Sequence, residues 1–242
     1  MIVKEKFKTG LEDIGKGNLI KNKSILRMFE NIGAYHSDMV KFGANEIEET
    51  KASWILMDWK IKVIKRPKYG EILEVDTWCK DGGKMHTYRD FELYNEKREL
   101  CAIGTSKWVL VNIETGKLIK IEKDLMDRYT LEEKNVFNEK ELDKLKAPDS
   151  YISNIIYKVN RKDIDINNHM HNLYYLDLAY EALPQDVYNN DRPFNNIRIS
   201  YKKEIKLGDM VNCKYSKVGN KHIIVIMDEE EKKTHAIIEL EK

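Results

Sequence analysis

Two heptapeptides, KRPKYGE at residues 65–71 and KEIKLGD at residues 203–209, sit at matching places in a pattern that the chain runs through twice. Each is followed by a strand-like stretch and then by a glycine turn, Gly82-Gly83-Lys84 in the first case and Gly219-Asn220-Lys221 in the second. Gly70 and Lys84 are 14 residues apart, and Gly208 and Lys221 are 13 apart. Chance rarely preserves such spacing together with strand order. A chain that uses one supersecondary unit twice has few folds open to it.

The first copy places Ile25, Met28, Phe29, Ile32, Tyr35 and Met39 at helical spacing, with Ser24 as the expected cap and Gly43 near the stop. Four strand-like runs follow, SWILMDWKIKVIK, EILEVDTWC, KMHTYRDFELY and ELCAIGTSKWVLVNI, separated by turn signals at Pro67/Gly70, Gly82-Gly83 and Asn95-Glu96. This predicts one long amphipathic helix and an antiparallel sheet. The second copy repeats the order: a strand in SNIIYKVNR, a helix in HNLYYLDLAYEAL, and strands in FNNIRISYKKEI, DMVNCKYSK, KHIIVIMDE and THAIIELEK. Between the copies, residues 131–150 are rich in charge and contain Pro148, which reads as a solvated helical connector.

Composition narrows the partners. The 42% hydrophobic fraction suits a packed core, and the 34% charged fraction a well-solvated surface. A net charge of +1 gives no global field for nucleic acid or a membrane, so an acidic partner has to be met by a local patch. Cys79, Cys101 and Cys213 are odd in number and widely spaced, which fits neither a disulfide framework nor a zinc site. No apolar run reaches the roughly 18 residues of a membrane span, and the start MIVKEKFKTG lacks a signal-peptide core. The expectation is a soluble, cytoplasmic protein.

The most unusual stretch is DIDINNHMHN, residues 163–172. If it is extended, Asp165, Asn167 and His169 alternate onto one side and converge beside the N-terminus of the helix that follows, where unpaired N–H groups suit a developing oxyanion. The first copy shows NLIKNKS at residues 18–24, just before its helix, with neither Asp nor His. Asx residues ahead of a helix also serve as caps and turns. The residues alone leave both readings open.

The segment RKDIDINNHMHNLYYLDLAYEALP resembles the signature of the acyl-acyl carrier protein thioesterases of plants and bacteria: D-x-N-x-H, then N-x-x-Y, then a Glu and a Pro, here Asp165, Asn167, His169, Asn172, Tyr175, Glu181 and Pro184. YGEILEVDTWCKDGGKMHTYRDFEL and GTSKWVLVNIETGKL are similar to family segments of the first half. The resemblance implies an α+β tandem hotdog, two curved antiparallel sheets each wrapped around a long helix. Residues 1–130 would form a non-catalytic hotdog supplying acyl-pocket walls, with Trp54, Met57 and Trp59 as aromatic and Met candidates; residues 131–149 a linker; and residues 150–242 the catalytic hotdog.

The family's further catalytic Glu falls on Glu204 in SYKKEI, whose counterpart by internal repeat is Arg66. Many plant members carry Cys next to that Glu; Ile205 stands there and excludes a thiol nucleophile. His171 replaces the usual Asn and receives no catalytic role. The implied reaction is hydrolysis of fatty acyl-acyl carrier protein thioesters to free fatty acid and holo-carrier, ending fatty acid synthesis. In it Asn167 and the helix N-terminus polarise the carbonyl beside His169, Glu204 activates water from a partly buried position, and Asp165 orients the network or attacks directly. The competing reading of Glu204 is a surface ion pair with Lys202, Lys203 or Lys206. Alternatives for the whole chain are an acyl-CoA thioesterase or a hydratase on the same fold, and a non-catalytic acyl-binding protein. No cofactor or metal is implied. The expected partner is acyl carrier protein bearing a fatty acyl-phosphopantetheine, met by a basic patch at Arg198, Lys202, Lys203 and Lys206; nucleic acid and membrane are not expected partners, and a homodimer is left open.

Overall fold

The computed structural model describes all residues from Met1 to Lys242. The chain divides into two compact units, Met1–Leu142 and Asp143–Lys242.

The first unit runs β1 (Val3–Lys8), α1 (Asn22–Met39), α2 (Ile47–Thr50), β2 (Ala52–Val63), β3 (Ile72–Lys80), β4 (Thr87–Tyr94), β5 (Leu100–Asn112), the short β6 (Leu118–Ile119) and α3 (Lys123–Tyr129). Its strands pair antiparallel in the order β1-β3-β4-β5-β2, with β6 on β5. The helix forms because Ile25, Met28, Phe29 and Ile32 recur on one face, and all four are fully buried. Phe29 stacks on Phe91 of β4 at 4.8 Å, and Phe91 meets Trp59 of β2 at 5.1 Å. Burial is worth ~2–3 kcal/mol for each such side chain. Gly104 of β5 makes the close approach feasible, since a Cβ there would stand 2.7 Å from the Phe29 ring.

Several expectations for this unit are corrected. Val3–Lys8 is a strand that pairs with β3. The cap position of α1 is Lys21, and Ser24 is buried within the helix. Tyr35 and Met39 are exposed, while His36 takes the buried position. Helical phase accounts for His36, because position 36 follows Ile25 and Ile32 at whole-turn spacing; Met39 is in phase with the stripe but is the last residue of the helix.

The second unit runs β7 (Ser153–Lys158), α4 (Asn172–Glu181), α5 (Gln185–Asn190), β8 (Asn196–Tyr201), β9 (Met210–Val218), β10 (Lys221–Asp228) and β11 (Thr234–Glu241). Its strand order is β7-β9-β10-β11-β8, which reproduces the first unit element for element. The central helix is shorter, 10 residues against 18, because Pro184 cannot continue it and starts α5 instead.

The connector is not helical. Its backbone is held by side chains: the Trp78 indole donates to Lys134 O at 2.8 Å, and Val136 N–H donates to the Asp90 carboxylate at 2.9 Å. Farther on, Leu145 joins Ile223, Val225 and Ile237 in a small core. Charged residues here neutralise partners on the sheet, as Lys134 does for Glu92. They are not spaced along an exposed helix.

Candidate active site

The expected extended segment is in fact a closed loop. Ile164 and Met170 form an antiparallel bridge, Asp165 N–H donates to His169 O at 2.8 Å, Asn168 N–H donates to Asp165 O at 3.1 Å, and Asn168 has φ 60°. The Asp165 carboxylate faces inward, with Oδ1 accepting from Asn167 N–H at 2.8 Å and from His169 N–H at 3.2 Å. The Asp165 side-chain bonds form an Asx turn inside a loop that main-chain hydrogen bonds close. Asp163 anchors the loop base: its carboxylate accepts from Asn160 N–H and the Tyr157 hydroxyl, and its carbonyl from His171 N–H.

The N-cap of α4 is His171, the position given no catalytic role, with Nδ1 accepting from Leu173 N–H at 3.2 Å. Since Leu173 and Tyr174 N–H are committed to His171, part of the helix terminus is unavailable to an oxyanion.

The same loop occurs in the first unit, 150 positions earlier. Ile14 bridges Ile20, Gly15 N–H donates to Leu19 O at 2.8 Å, and Asn18 N–H donates to Gly15 O at 3.2 Å with φ 58° at Asn18. The burial pattern of residues 11–20 is identical to that of residues 161–170. Gly15, Gly17 and Leu19 therefore occupy the places of Asp165, Asn167 and His169. The true counterpart begins three residues before NLIKNKS, but the expectation that it lacks the polar set holds.

A second segment packs against this loop. Met170 N–H donates to Ile205 O at 2.8 Å, and His169 bridges Lys206, which seats residues 204–206 against the loop. The first unit repeats this bond as Ile20 N–H to Pro67 O at 2.9 Å, placing Arg66 where Glu204 stands. Arg66 there donates to Ile20 O at 2.9 Å. Glu204 is exposed, so the expected partial burial is absent. Lys202, Lys203 and Lys206 are also exposed, and none forms an ion pair with it.

Two residues outside the expected catalytic set hold the Glu204 turn in place. His235 on β11 is buried, and its Nδ1 lies 3.1 Å from Glu204 O and 3.2 Å from Lys203 O. Carbonyls only accept, so Nδ1 carries the proton. The backbone carbonyl of His235 accepts from Lys202 and Lys203 N–H, and the turn is gripped from both sides. Tyr175 on α4 is buried, packs edge-on to Tyr201 at 5.1 Å, and is hydrogen-bonded by the Ile205 backbone; burial and then the Glu204 and Asp165 charges push its phenol upward. The N-x-x-Y spacing pointed to Tyr175. Nothing in the sequence pointed to His235, which acts on main-chain atoms 31 residues away.

All three thiols are buried and unpaired, and desolvation pushes Cys101 up to about 11 and Cys213 up to about 12. None is an activated nucleophile. No cluster of His, Cys, Asp or Glu is arranged to hold a metal ion, and no helix is long and apolar enough to cross a membrane.

Comparison with known proteins places this geometry in a family. A sequence model of the acyl-ACP thioesterase N-terminal domain matches residues 1–129, and one of the C-terminal domain matches residues 146–242. The chain belongs to the acyl-ACP thioesterase family. It is 28% identical over 226 residues to an oleoyl-acyl carrier protein thioesterase of Arabidopsis thaliana, and 26% identical over 227 residues to one of Coriandrum sativum. Those matches cover 86% of this chain but 62% and 61% of the relatives, so it spans about three-fifths of their length.

Among solved structures, an acyl-ACP thioesterase from Bacteroides thetaiotaomicron superposes with a TM-score of 0.86 at 17% identity, covering 99% of this chain and 97% of that one. The 12:0-ACP thioesterase from Umbellularia californica gives 0.87 at 18% identity, covering 99% and 96%. This acyl-ACP thioesterase family member is thus an α+β tandem hotdog.

Proposed function

We propose that this acyl-ACP thioesterase family member hydrolyses fatty acyl thioesters carried on acyl carrier protein, releasing the free acid and the carrier thiol, with Asp165, Asn167, His169 and Glu204 as its working residues. The observation that carries the reading is the pairing of two loops, His169 with Lys206 and Met170 with Ile205, which brings the backbone of Glu204 alongside the loop that bears Asp165, Asn167 and His169.

Glu204 takes the proton from the attacking water, and substrate seated over the loop supplies the desolvation that the chain does not. Asn167 and His169 orient and polarise the thioester carbonyl. Asp165 is assigned to orientation, since its Oδ1 already accepts two main-chain N–H groups. The carbonyl carbon gains the water oxygen, the C–S bond breaks, and the carrier thiolate leaves with a proton.

Exposed Lys158, Arg161, Lys162, Lys202, Lys203 and Lys206 are gathered near the site by the bonds of Val159 to Asp209 and Gly208. They suit an acidic carrier and the phosphate of its pantetheine arm. Arg198 leaves the expected patch, because it donates to Asp143 O at 2.8 Å.

The test is turnover of acyl-carrier and acyl-CoA thioesters of matched chain length by wild type and by folded Asn167→Ala, His169→Ala and Glu204→Ala variants. Losses of ~10²–10⁴-fold in kcat are expected for His169 and Glu204, with the carrier ester preferred by the wild type. Near wild-type turnover in those two variants would sink the assignment, and faster CoA ester cleavage would sink the carrier preference.

A further inference from the structure

The two copies tie the base of their loops to different elements. The 150-position offset runs on from the loop in both directions. β1 and β7 are both six residues long, and Phe7 and Tyr157 face Leu73 and Val211, each three positions past the turn glycine, Gly70 or Gly208. α1 and α4 start at Asn22 and Asn172, and residues 25–33 share one burial pattern with residues 175–183.

In the first unit the tie runs to the helix. The Asp13 carboxylate is buried, with Oδ2 accepting from Gly10 N–H at 2.9 Å and Oδ1 from Arg27 of α1 at 2.6 Å. Burial works to raise this carboxyl, but the Gly10 N–H and the Arg27 and Ser24 side chains of the helix hold it below its ordinary value. Phe7 on the strand offers it nothing polar.

In the second unit the tie runs to the strand. Asp163, the counterpart of Asp13, is also buried; it accepts from Asn160 N–H at 2.8 Å, which repeats the Gly10 bond, and from the Tyr157 hydroxyl at 2.7 Å. Burial, and then the Asp163 and Asp177 charges, push the Tyr157 phenol upward, so it keeps its proton and donates. Where α1 carries Arg27, α4 carries Asp177, and an ionised carboxylate donates to nothing. A buried carboxylate left short of donors is costly, so the strand's hydroxyl does here what the helix's guanidinium does in the first unit.

Strand β7 also leads into the residue that holds the segment carrying Glu204. Val159 donates its N–H to Asp209 O at 2.9 Å and accepts from Gly208 N–H at 3.1 Å. We propose that Tyr157 is a positioning residue for the hydrolytic reaction, its bond to Asp163 fixing the loop of Asp165, Asn167 and His169 to the same strand that holds the Glu204 segment. Groups fixed to one strand keep their mutual spacing, which attack of water on a held carbonyl requires. The first unit has Arg66 in place of the base and ties its loop elsewhere. This role rests on the assignment of those four residues to the reaction.

Tyr157→Phe imports the first unit's Phe7, and Tyr157→Phe/Asp177→Arg adds its guanidinium. Tyr157→Phe is expected to lower kcat on an acyl-carrier thioester about ten- to a hundredfold with little change in KM, to lower Tm, and to speed amide hydrogen exchange at Asp165, Asn168 and His169. The double variant is expected to regain Tm and slow exchange, because a tie is restored, while kcat stays low, because that tie runs to the helix. Recovery of kcat together with Tm would overturn the proposal, since any tie would then serve. Tyr157→Phe also decides alone: wild-type kcat, unchanged exchange, or a loss carried by KM overturns it. Exchange is read without turnover, so failure of the tie is distinct from failure of the proposed reaction.

Discussion

Asp165 and Gly15 stand at the same point of two loops closed by the same cross-loop hydrogen bonds, so the carboxylate is not what closes the turn. An orienting role needs an acceptor oxygen and not a nucleophile. Asp165→Asn keeps that oxygen, so kcat is expected to stay within about tenfold of wild type, whereas a drop beyond about 10³-fold would assign direct attack instead. His235 makes a separable prediction. His235→Leu removes the donor that holds the Glu204 main chain and should lower kcat by about tenfold with little change in KM, while His235→Asn retains a donor near Nδ1 and recovers most of the loss. Equal defects in the two variants would reduce His235 to packing. A third prediction concerns pH. Burial and the charge of Arg89 push His36 from its ordinary 6.5 down to about 3 in the fold. The unfolded chain takes up that proton first, so stability is lost as pH drops below about 6.5, by up to ~1.4 kcal/mol per pH unit until about pH 3. Denaturant melts of His36→Gln should show a flatter profile over that window. Asp165, Asn167, His169 and Glu204 could be nominated from the sequence because their spacing carries the pattern of a known family. His235 was not, because a bond between a side chain and a distant main chain leaves no local mark.

Elements explain where the reading of secondary structure held and where it slipped. The face of α1 was visible in Ile25, Met28, Phe29 and Ile32, whose spacing follows the helical period. Its ends were not, since Lys21 caps without a side-chain bond and Ser24 lies inside. Residues 131–150 looked helical from their charge, yet the indole of Trp78 and the carboxylate of Asp90 claim the backbone groups that a helix would pair internally. β1 escaped notice although Val3, Glu5 and Phe7 alternate with lysines, the ordinary mark of a half-exposed strand. The packing of α1 on its sheet is most exposed to test at Gly104. Gly104→Ala drives a methyl to 2.7 Å from the Phe29 ring, wedged between Phe91 and Trp59, and should cost ~1–3 kcal/mol by chemical denaturation. A neutral result would show that the helix rides looser on the sheet than its ring contacts imply.

At the scale of the molecule, one architecture is built twice with the same strand order, and the turn residues that spell it, Gly70 and Gly208 among them, both take positive φ. These glycines made the duplication readable, because only a few residue types fit such backbone. The placement of the degenerate loop was less readable, as it rests on main-chain bonds that Gly, Lys and Leu make as well as Asp, Asn and His. The duplication supplies a stringent experiment: Asp165→Gly, Asn167→Gly and His169→Leu together import the first unit's residues. The triple variant should keep its circular dichroism and melt within a few degrees of wild type while hydrolysis falls to background. Collapse of the fold would show that the polar residues hold the loop together. Since Gly15 N–H to Leu19 O and Asp165 N–H to His169 O close their turns at the same 2.8 Å whatever the side chains, the positions between them are uncoupled from folding. Such a loop is evolvable: mutation can explore reactivity there without risking the scaffold, and one copy of the gene segment can fall silent while its twin keeps its chemistry.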